Sequence, residues 1–435
     1  MRSSELSSRD EASERVVWLR GRRSTGTQEA RIESVPSTDA TVDAAPRRRA
    51  GFGSWLARVI LALLFVVGLL FSVFPQGRTA ARVALLFPSI ISVSAPPPLK
   101  LLGSPIQHTS LILTAPPEPV YLDVYAPATP APPVPGSREG IVVISGVGDN
   151  RSDPQLVNLS ESFARAGIVV MDVTTPTLLA YDMSPADGTA VVEAFERLSR
   201  WPGVSPHRVG IFGLSAGGAI ASLAAANPRI RDQVAFLTLF GGYFDATTML
   251  GDFGRRALLI DGRLQPWQPD EVSIQVLANI IAGVLPPAEG SAVVKSVAPG
   301  GKLLSARELA GFSPAAVAAY HLLAGDERSP AQVNANIARL SPRMRSVFDS
   351  LSPSSVVQSI RAPVHLLHDR DDHHVPVTES EDYAAALARL GHPHDFVEFG
   401  IFQHVEVESD LSYGQILGSA PGLFRMLYQT LRAGG

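Results

Sequence analysis

Residues 205–218 read SPHRVGIFGLSAGG, and this stretch decides the fold. The run Val209 to Gly213 (VGIFG) carries no charged or strongly polar side chain, as a strand covered on both faces of a parallel sheet requires. A helix-forming run of small residues, AGGAIASLAAA, begins directly after Ser215. Between strand and helix stands Gly213-Leu214-Ser215-Ala216-Gly217, the pattern GxSxG, and its spacing has a steric reason. A chain that passes from strand to helix in one sharp turn holds the turning residue in a strained conformation. Glycines two positions to either side leave room for the crossing chains. About 0.3 copies of GxSxG are expected by chance in a chain of this composition, so the flanking strand and helix give the motif its weight.

The same alternation extends in both directions. Ser110 to Thr114 (SLILT) and Val120 to Tyr125 (VYLDVY) predict a leading antiparallel pair, followed by a Pro-rich loop from Pro127 to Pro135. Strands are expected at Ile141 to Ser145, Ile168 to Val173 and Val234 to Phe240, with helices at Gln155 to Ala166 and Gly188 to Arg200. The pattern resumes with a strand at Pro363 to Leu367, a helix near Ser380 to Leu390, a strand at Asp395 to Phe399 and a closing helix at Tyr413 to Leu431. Strands and helices in this order imply an α/β domain over residues 105–435, with a mostly parallel sheet flanked by helices. About 120 residues between Gly241 and Ala362 read mainly as helices, and an insertion of that size at one sheet edge is most simply a cap over the site.

A serine at such a turn needs a base, and the base needs a carboxylate to orient it. The strand at 363–367 opens into HDRDDHHVP, where Asp372 stands three residues before Val375; Asp371 is the second candidate for the acid. His404 follows the next strand in FGIFQHVE. Ser215, Asp372 and His404 thus each lie beyond the carboxyl end of a predicted strand, the edge where ligands collect in parallel sheets. The crowding of His365, His368, Asp369, Asp371, Asp372, His373 and His374 also raises the question of a metal ion. Side-chain alternation after a strand turns half of these groups away from one another, so neither a metal nor any other cofactor is expected.

The stretch SPHRVGIFGLSAGG resembles the α/β-hydrolase superfamily, near its dienelactone hydrolase and prolyl-oligopeptidase-like branch. RAPVHLLHDRDDHHVP resembles that family's acid segment, with its Asp three residues before Val-Pro. The resemblance implies the α/β-hydrolase fold and a Ser215, Asp372 and His404 triad. The oxyanion hole is assigned to the amides of Ala216 and Val147. Two positions depart from the pattern: Asp369 replaces the usual Gly after His368, and Ser145 with Gly146 replaces a His-Gly pair.

The expected chemistry is hydrolysis of a carboxylic ester through an acyl-enzyme, with peptide hydrolysis and acyl transfer as relatives. Phe244, Phe253 and Trp267 in the insertion suggest a small-molecule ester or lipid-like substrate with an apolar portion. The alternative from another class is a membrane-anchored binding protein that keeps the fold without turnover.

Composition bounds the remainder. Of 435 residues 46% are hydrophobic and 18% charged, and the net charge is −4, which leaves no basic excess for nucleic acid. The absence of cysteine excludes disulfides, thiolate metal sites and a cysteine nucleophile. Residues 1–53, with ten Arg and eight acidic residues and no apolar period, read as a disordered tail. The uncharged run VILALLFVVGLLFSVF from Val59 to Phe74 suggests a single membrane helix over 54–75. Eleven Arg precede Val59, which would leave the N-terminus in the cytoplasm and the catalytic domain outside it. The linker 76–104 contains a second apolar run, Val83 to Ser94, too short to span and expected at the membrane surface or packed on the domain.

Overall fold

A computed structural model describes residues 61–62, 68, 74–91, 98–114, 118–129, 137–407 and 413–433. Eight strands form its main sheet: β1 (Ile106–Thr114), β2 (Pro119–Pro127), β3 (Arg138–Ile144), β4 (Val169–Thr174), β5 (Val204–Leu214), β6 (Val234–Phe240), β7 (Val364–Asp369) and β8 (His394–Phe399). They lie in the order β1-β2-β4-β3-β5-β6-β7-β8. Pairing is antiparallel at β1–β2 and β2–β4 and parallel across the other five junctions. With helices on both faces and a strand-to-helix turn after β5, this is the α/β-hydrolase fold.

The central strands β3 and β6 are largely apolar because both of their faces are covered. Successive side chains of β3 divide between two cores. Val142 and Ile144 pack under α3 (Pro185–Ser199) and α4 (Ala216–Ala225), which contribute Val191, Phe195 and Ile220. Ile141 and Val143 pack on the other face, with Phe163 of α2 (Pro154–Arg165) and Met426 of the closing helix (Tyr413–Ala433). Aspartate, threonine and serine caps begin several of these helices; Asp153 Oδ1, for example, accepts from the amides of Gln155 and Leu156 at 2.9 Å.

The second apolar run is largely contained in α1 (Pro75–Ile91), which packs on α2 and the closing helix with Val83 and Leu86 fully buried. Arg82 of α1 is tied bidentately to Glu139 at 2.8–2.9 Å, and Arg208 shares the same carboxylate.

The expected single-pass membrane placement is corrected. Among the described residues no helix is long and apolar enough to cross a membrane. A span needs about 20 largely uncharged residues. α1 has 17 residues and includes Arg78 and Arg82, and the closing helix carries Arg425 and Arg432. Most of the run Val59 to Phe74 lies outside the described residues, as do the whole 1–53 tail and most of 54–75.

The segment between β6 and β7 folds into a short hairpin (Ala257–Ile260 with Arg263–Pro266) and helices. The longer ones are α5 (Ala246–Arg255), α6 (Glu271–Ala282), α7 (Pro287–Val297), α8 (Pro314–Ala324), α9 (Pro330–Arg339) and α10 (Pro342–Leu351). α11 (Val377–Arg389) follows β7, and the closing helix is α12.

Candidate active site

Ser215 sits at the junction of β5 and α4 with φ 55° and ψ −131°, outside the regions an L-residue favours. Strain of this kind typically costs on the order of 1–3 kcal/mol and persists only where the surroundings impose it. Here they do. A Cβ on Gly213 would stand 2.6 Å from the Gly217 carbonyl oxygen, and one on Gly217 would stand 2.3 Å from that of Ile144. The Ser215 amide donates to the Phe240 carbonyl at 2.8 Å, fixing the turn against β6.

His404 occupies the turn of a two-stranded hairpin (Phe402–Gln403 with Glu406–Val407) beyond β8, at φ 61°. Its Nδ1–H donates to Asp372 Oδ2 at 2.6 Å, which leaves Nε2 as the basic nitrogen. That Nε2 is buried and has no hydrogen-bond partner among the described residues. Ser215 and His404 line one cavity, together with Val147. No Ser215–His404 hydrogen bond is formed in this state.

Asp372 lies in the loop after β7 and is 1% exposed. Its Oδ1 accepts from the amides of His374 (2.7 Å) and Val375 (3.0 Å). Burial alone would push its carboxyl up. The charge of His404, with hydrogen bonds from His368 and His404, outweighs burial and holds the carboxyl well below the usual carboxylate range. Asp371, the alternative acid, is exposed and outside this network.

His368 is buried and donates from Nε2 to Val375 O at 3.0 Å, while Nδ1 accepts from Ser380 Oγ at 2.7 Å. The same Nε2 lies 3.3 Å from Asp372 Oδ2, so His368 supports the acid from behind.

Val147 and Ala216 flank Ser215, and the three share a second, smaller cavity. A Cβ on Gly146 would lie 3.1 Å from Ser215 Oγ, so only glycine lets this loop approach so closely. Asn150 braces the loop: its Nδ2 donates to the carbonyls of Gly146 and Val147, each at 3.1 Å. Nothing in the motif pattern marks Asn150, because it works through backbone carbonyls rather than through a reacting atom.

Asp369, a departure from the family pattern, has a structural use. Its Oδ2 accepts from the amides of Ile401 (3.1 Å) and Phe402 (2.9 Å), and its Oδ1 from that of Asp371 (3.0 Å). It therefore joins the loop carrying Asp372 to the hairpin carrying His404. A glycine could make none of these bonds.

The inserted segment reaches the same loop. Trp267 Nε1–H donates to Asp372 O at 2.7 Å, and the Asp270 amide donates to His373 O at 2.7 Å. The three aromatic residues expected to meet substrate are in the core instead. Phe244 packs on Tyr383, Phe253 packs edge-on against Trp267, and none of them lines the cavities beside Ser215. The helices of the insertion bury their apolar faces in the core they share with one face of the sheet, and its largest side chains go there.

Among the described residues, Asp372, His374 and His404 are the one His/acid group whose ligating atoms converge, within 4.8 Å of one another. His374 stacks on His404 with ring centroids 4.5 Å apart, and Asp372 is already engaged by the His404 ring and two amides. Burial, and then the neighbouring His404 charge, push the His374 pKa down, which suits a neutral ring at this position.

No family model matches this chain, and no curated protein matches it. Solved structures do resemble it. A puromycin-hydrolyzing peptidase of Mycobacterium tuberculosis is 19% identical over 75% of this chain and 39% of that one, with a TM-score of 0.44. A 2,6-dihydroxy-pseudo-oxynicotine hydrolase is 16% identical over 76% of this chain and 69% of that one, with a TM-score of 0.40. Est1E from Butyrivibrio proteoclasticus is 13% identical over 74% of this chain and 99% of that one, with a TM-score of 0.40. The chain spans about two fifths of the length of the first of these.

Proposed function

We propose that this protein is a serine hydrolase that cleaves carboxylic esters through an acyl-enzyme on Ser215. The observation that carries the proposal is the pairing of His404 Nδ1–H with Asp372, which leaves a buried, unpartnered Nε2 in the cavity that Ser215 lines. His404 takes the proton from Ser215 Oγ as that oxygen attacks the acyl carbonyl. Asp372 fixes the tautomer and balances the imidazolium charge. The amides of Ala216 and Val147 hold the oxyanion. Collapse of the tetrahedral species expels the alcohol, which takes the proton back from His404. A water molecule, deprotonated by His404 in turn, then releases the carboxylic acid and restores Ser215.

The lining of the cavity, dominated by aliphatic and aromatic side chains, favours a substrate with an apolar portion. A fluorophosphonate probe tests the serine chemistry. Labelling of wild type and its loss in Ser215→Ala support it, while undiminished labelling of the variant contradicts it. Matched ester and anilide substrates test the leaving-group class, with the ester expected to turn over at least 100-fold faster.

A further inference from the structure

The larger cavity at Ser215 does not lie between the sheet and the insertion alone. It continues along the sheet face that α2 and α12 cover. One wall is Phe212 and Leu214 of β5, Phe236 and Phe240 of β6 and Leu367 of β7; the other includes Leu156 and Leu159 of α2 and Leu423 and Leu427 of α12. Its lining includes Ser89 of α1, the helix packed on α2 and α12. The volume is about 250 Å³. Protein cores leave few voids larger than a water molecule, and a cavity of this size that Ser215 borders has room for part of a ligand.

We infer that this cavity receives one unbranched alkyl arm of the substrate, and that Ser89 favours an arm carrying an oxygen near its far end. The inference rests on Ser215 being the nucleophile. A methylene fills about as much space as a water molecule, ~30 Å³, so the cavity holds on the order of eight. A slot between a sheet and the helices packed on it suits a straight chain better than a branched or polycyclic group. Polar atoms along it mostly satisfy one another: Thr238 Oγ1 pairs with Thr430 Oγ1 at 3.0 Å, and Asn158 Nδ2 donates to Ser89 O. Apart from His404 Nε2, Ser89 Oγ is the exception. The residue is 1% exposed, its hydroxyl has no partner among the described residues, and it borders the cavity. An oxygen on the chain would satisfy it.

On the other side of Ser215 the cavity under α6 is about 50 Å³, bordered by Val276, Leu277 and Ile280. The substrate is therefore lopsided, with a medium-length alkyl arm on one side of the ester and a small group on the other.

Calorimetric binding to the full-length Ser215→Ala variant separates this inference from the catalytic proposal. The ligands are straight-chain methyl esters of increasing acyl length. Affinity should rise about fourfold per methylene and level off near eight. Leu159→Trp and Leu423→Trp, each combined with Ser215→Ala and checked for native circular dichroism, should weaken the long esters at least tenfold, with the loss growing with chain length. An ω-hydroxy ester of the limiting length should bind at least threefold tighter than its plain analogue, and Ser89→Ala should erase the difference. In wild type, one series varied in the acyl chain and one in the alcohol tell which arm enters. Affinity independent of chain length, or length dependence untouched in both tryptophan variants, overturns the inference. Chain-length-dependent binding without turnover or labelling of wild type would support the alkyl site while removing the catalytic proposal.

Discussion

The two sides of Ser215 differ in how their apolar residues are used. On the side of α2 and α12, phenylalanines and leucines of the sheet face border a cavity of about 250 Å³. On the side of the insertion, the aromatic residues are absorbed into the core that this segment shares with one sheet face, and about 50 Å³ remains beside α6. What the insertion gives the site is mainly placement, through the bonds from Trp267 and Asp270 to the acid loop. The lesson is that a residue's hydrophobicity does not say whether it faces ligand or core; the packing partner decides.

The comparison has meaning only if Ser215 is the reacting centre between the two sides. Ser215→Ala or His404→Ala should lower kcat/KM for a medium-chain ester by about 10⁴- to 10⁶-fold with an unchanged circular dichroism spectrum. Asp372→Asn should cost about 10⁴-fold, because it unsettles the tautomer of His404 while preserving shape. A loss below tenfold in any of these would move the reacting centre elsewhere.

Two milder variants set one side against the other. Asn150→Ala frees the loop that carries Val147, and steady-state kinetics should show a kcat lower by about 10- to 100-fold. Trp267→Phe removes one hydrogen bond to the acid loop from the insertion side. It should lower kcat about 3- to 10-fold while leaving the chain-length optimum where it is. A shift of that optimum in Trp267→Phe would mean that the insertion selects substrate after all.

The smallest effect concerns stability on the α2 side. Asp172 of β4 is buried beside its register partner Asp123, with Ser160 Oγ donating to it at 2.9–3.0 Å. Burial pushes its carboxyl up to about 8, the Ser160 hydrogen bond only partly offsetting this and the Asp123 charge adding to it. Asp123, by contrast, is held low: burial opposes ionisation, but hydrogen bonds from Arg151, Ser110 and His108 prevail. The sign follows from proton counting. Between about pH 4 and pH 8 the unfolded chain has lost the Asp172 proton and the folded chain keeps it, so stability falls as pH rises. Urea denaturation across that range should show a decline on the order of a few kcal/mol in wild type and a flatter profile in Asp172→Asn. Equal profiles would place the proton elsewhere.

Much of this was legible in the sequence. The strand and helix around Ser215 are local, so residue type and spacing sufficed for the turn. Asp372 and His404 follow the predicted strands at 363–367 and 395–399, and the structure brings the two into a hydrogen bond. Other features depend on residues distant in the chain. Asp369 bonds to amides 32 and 33 positions away, and Trp267 bonds to a carbonyl 105 positions away. The long cavity needs α1, α2, α12 and four strands to meet, which no local period encodes. The membrane expectation rested on one uncharged apolar run and the arginines before it, and the described helices do not bear it out.

The most direct measurement of the central claim is mass spectrometry of the protein quenched shortly after mixing with p-nitrophenyl octanoate. An octanoyl group on the peptide containing Ser215, appearing with a burst of p-nitrophenol and absent in Ser215→Ala, is the predicted result. Ester hydrolysis with no acyl mass on that peptide, or with the same burst in Ser215→Ala, would contradict it.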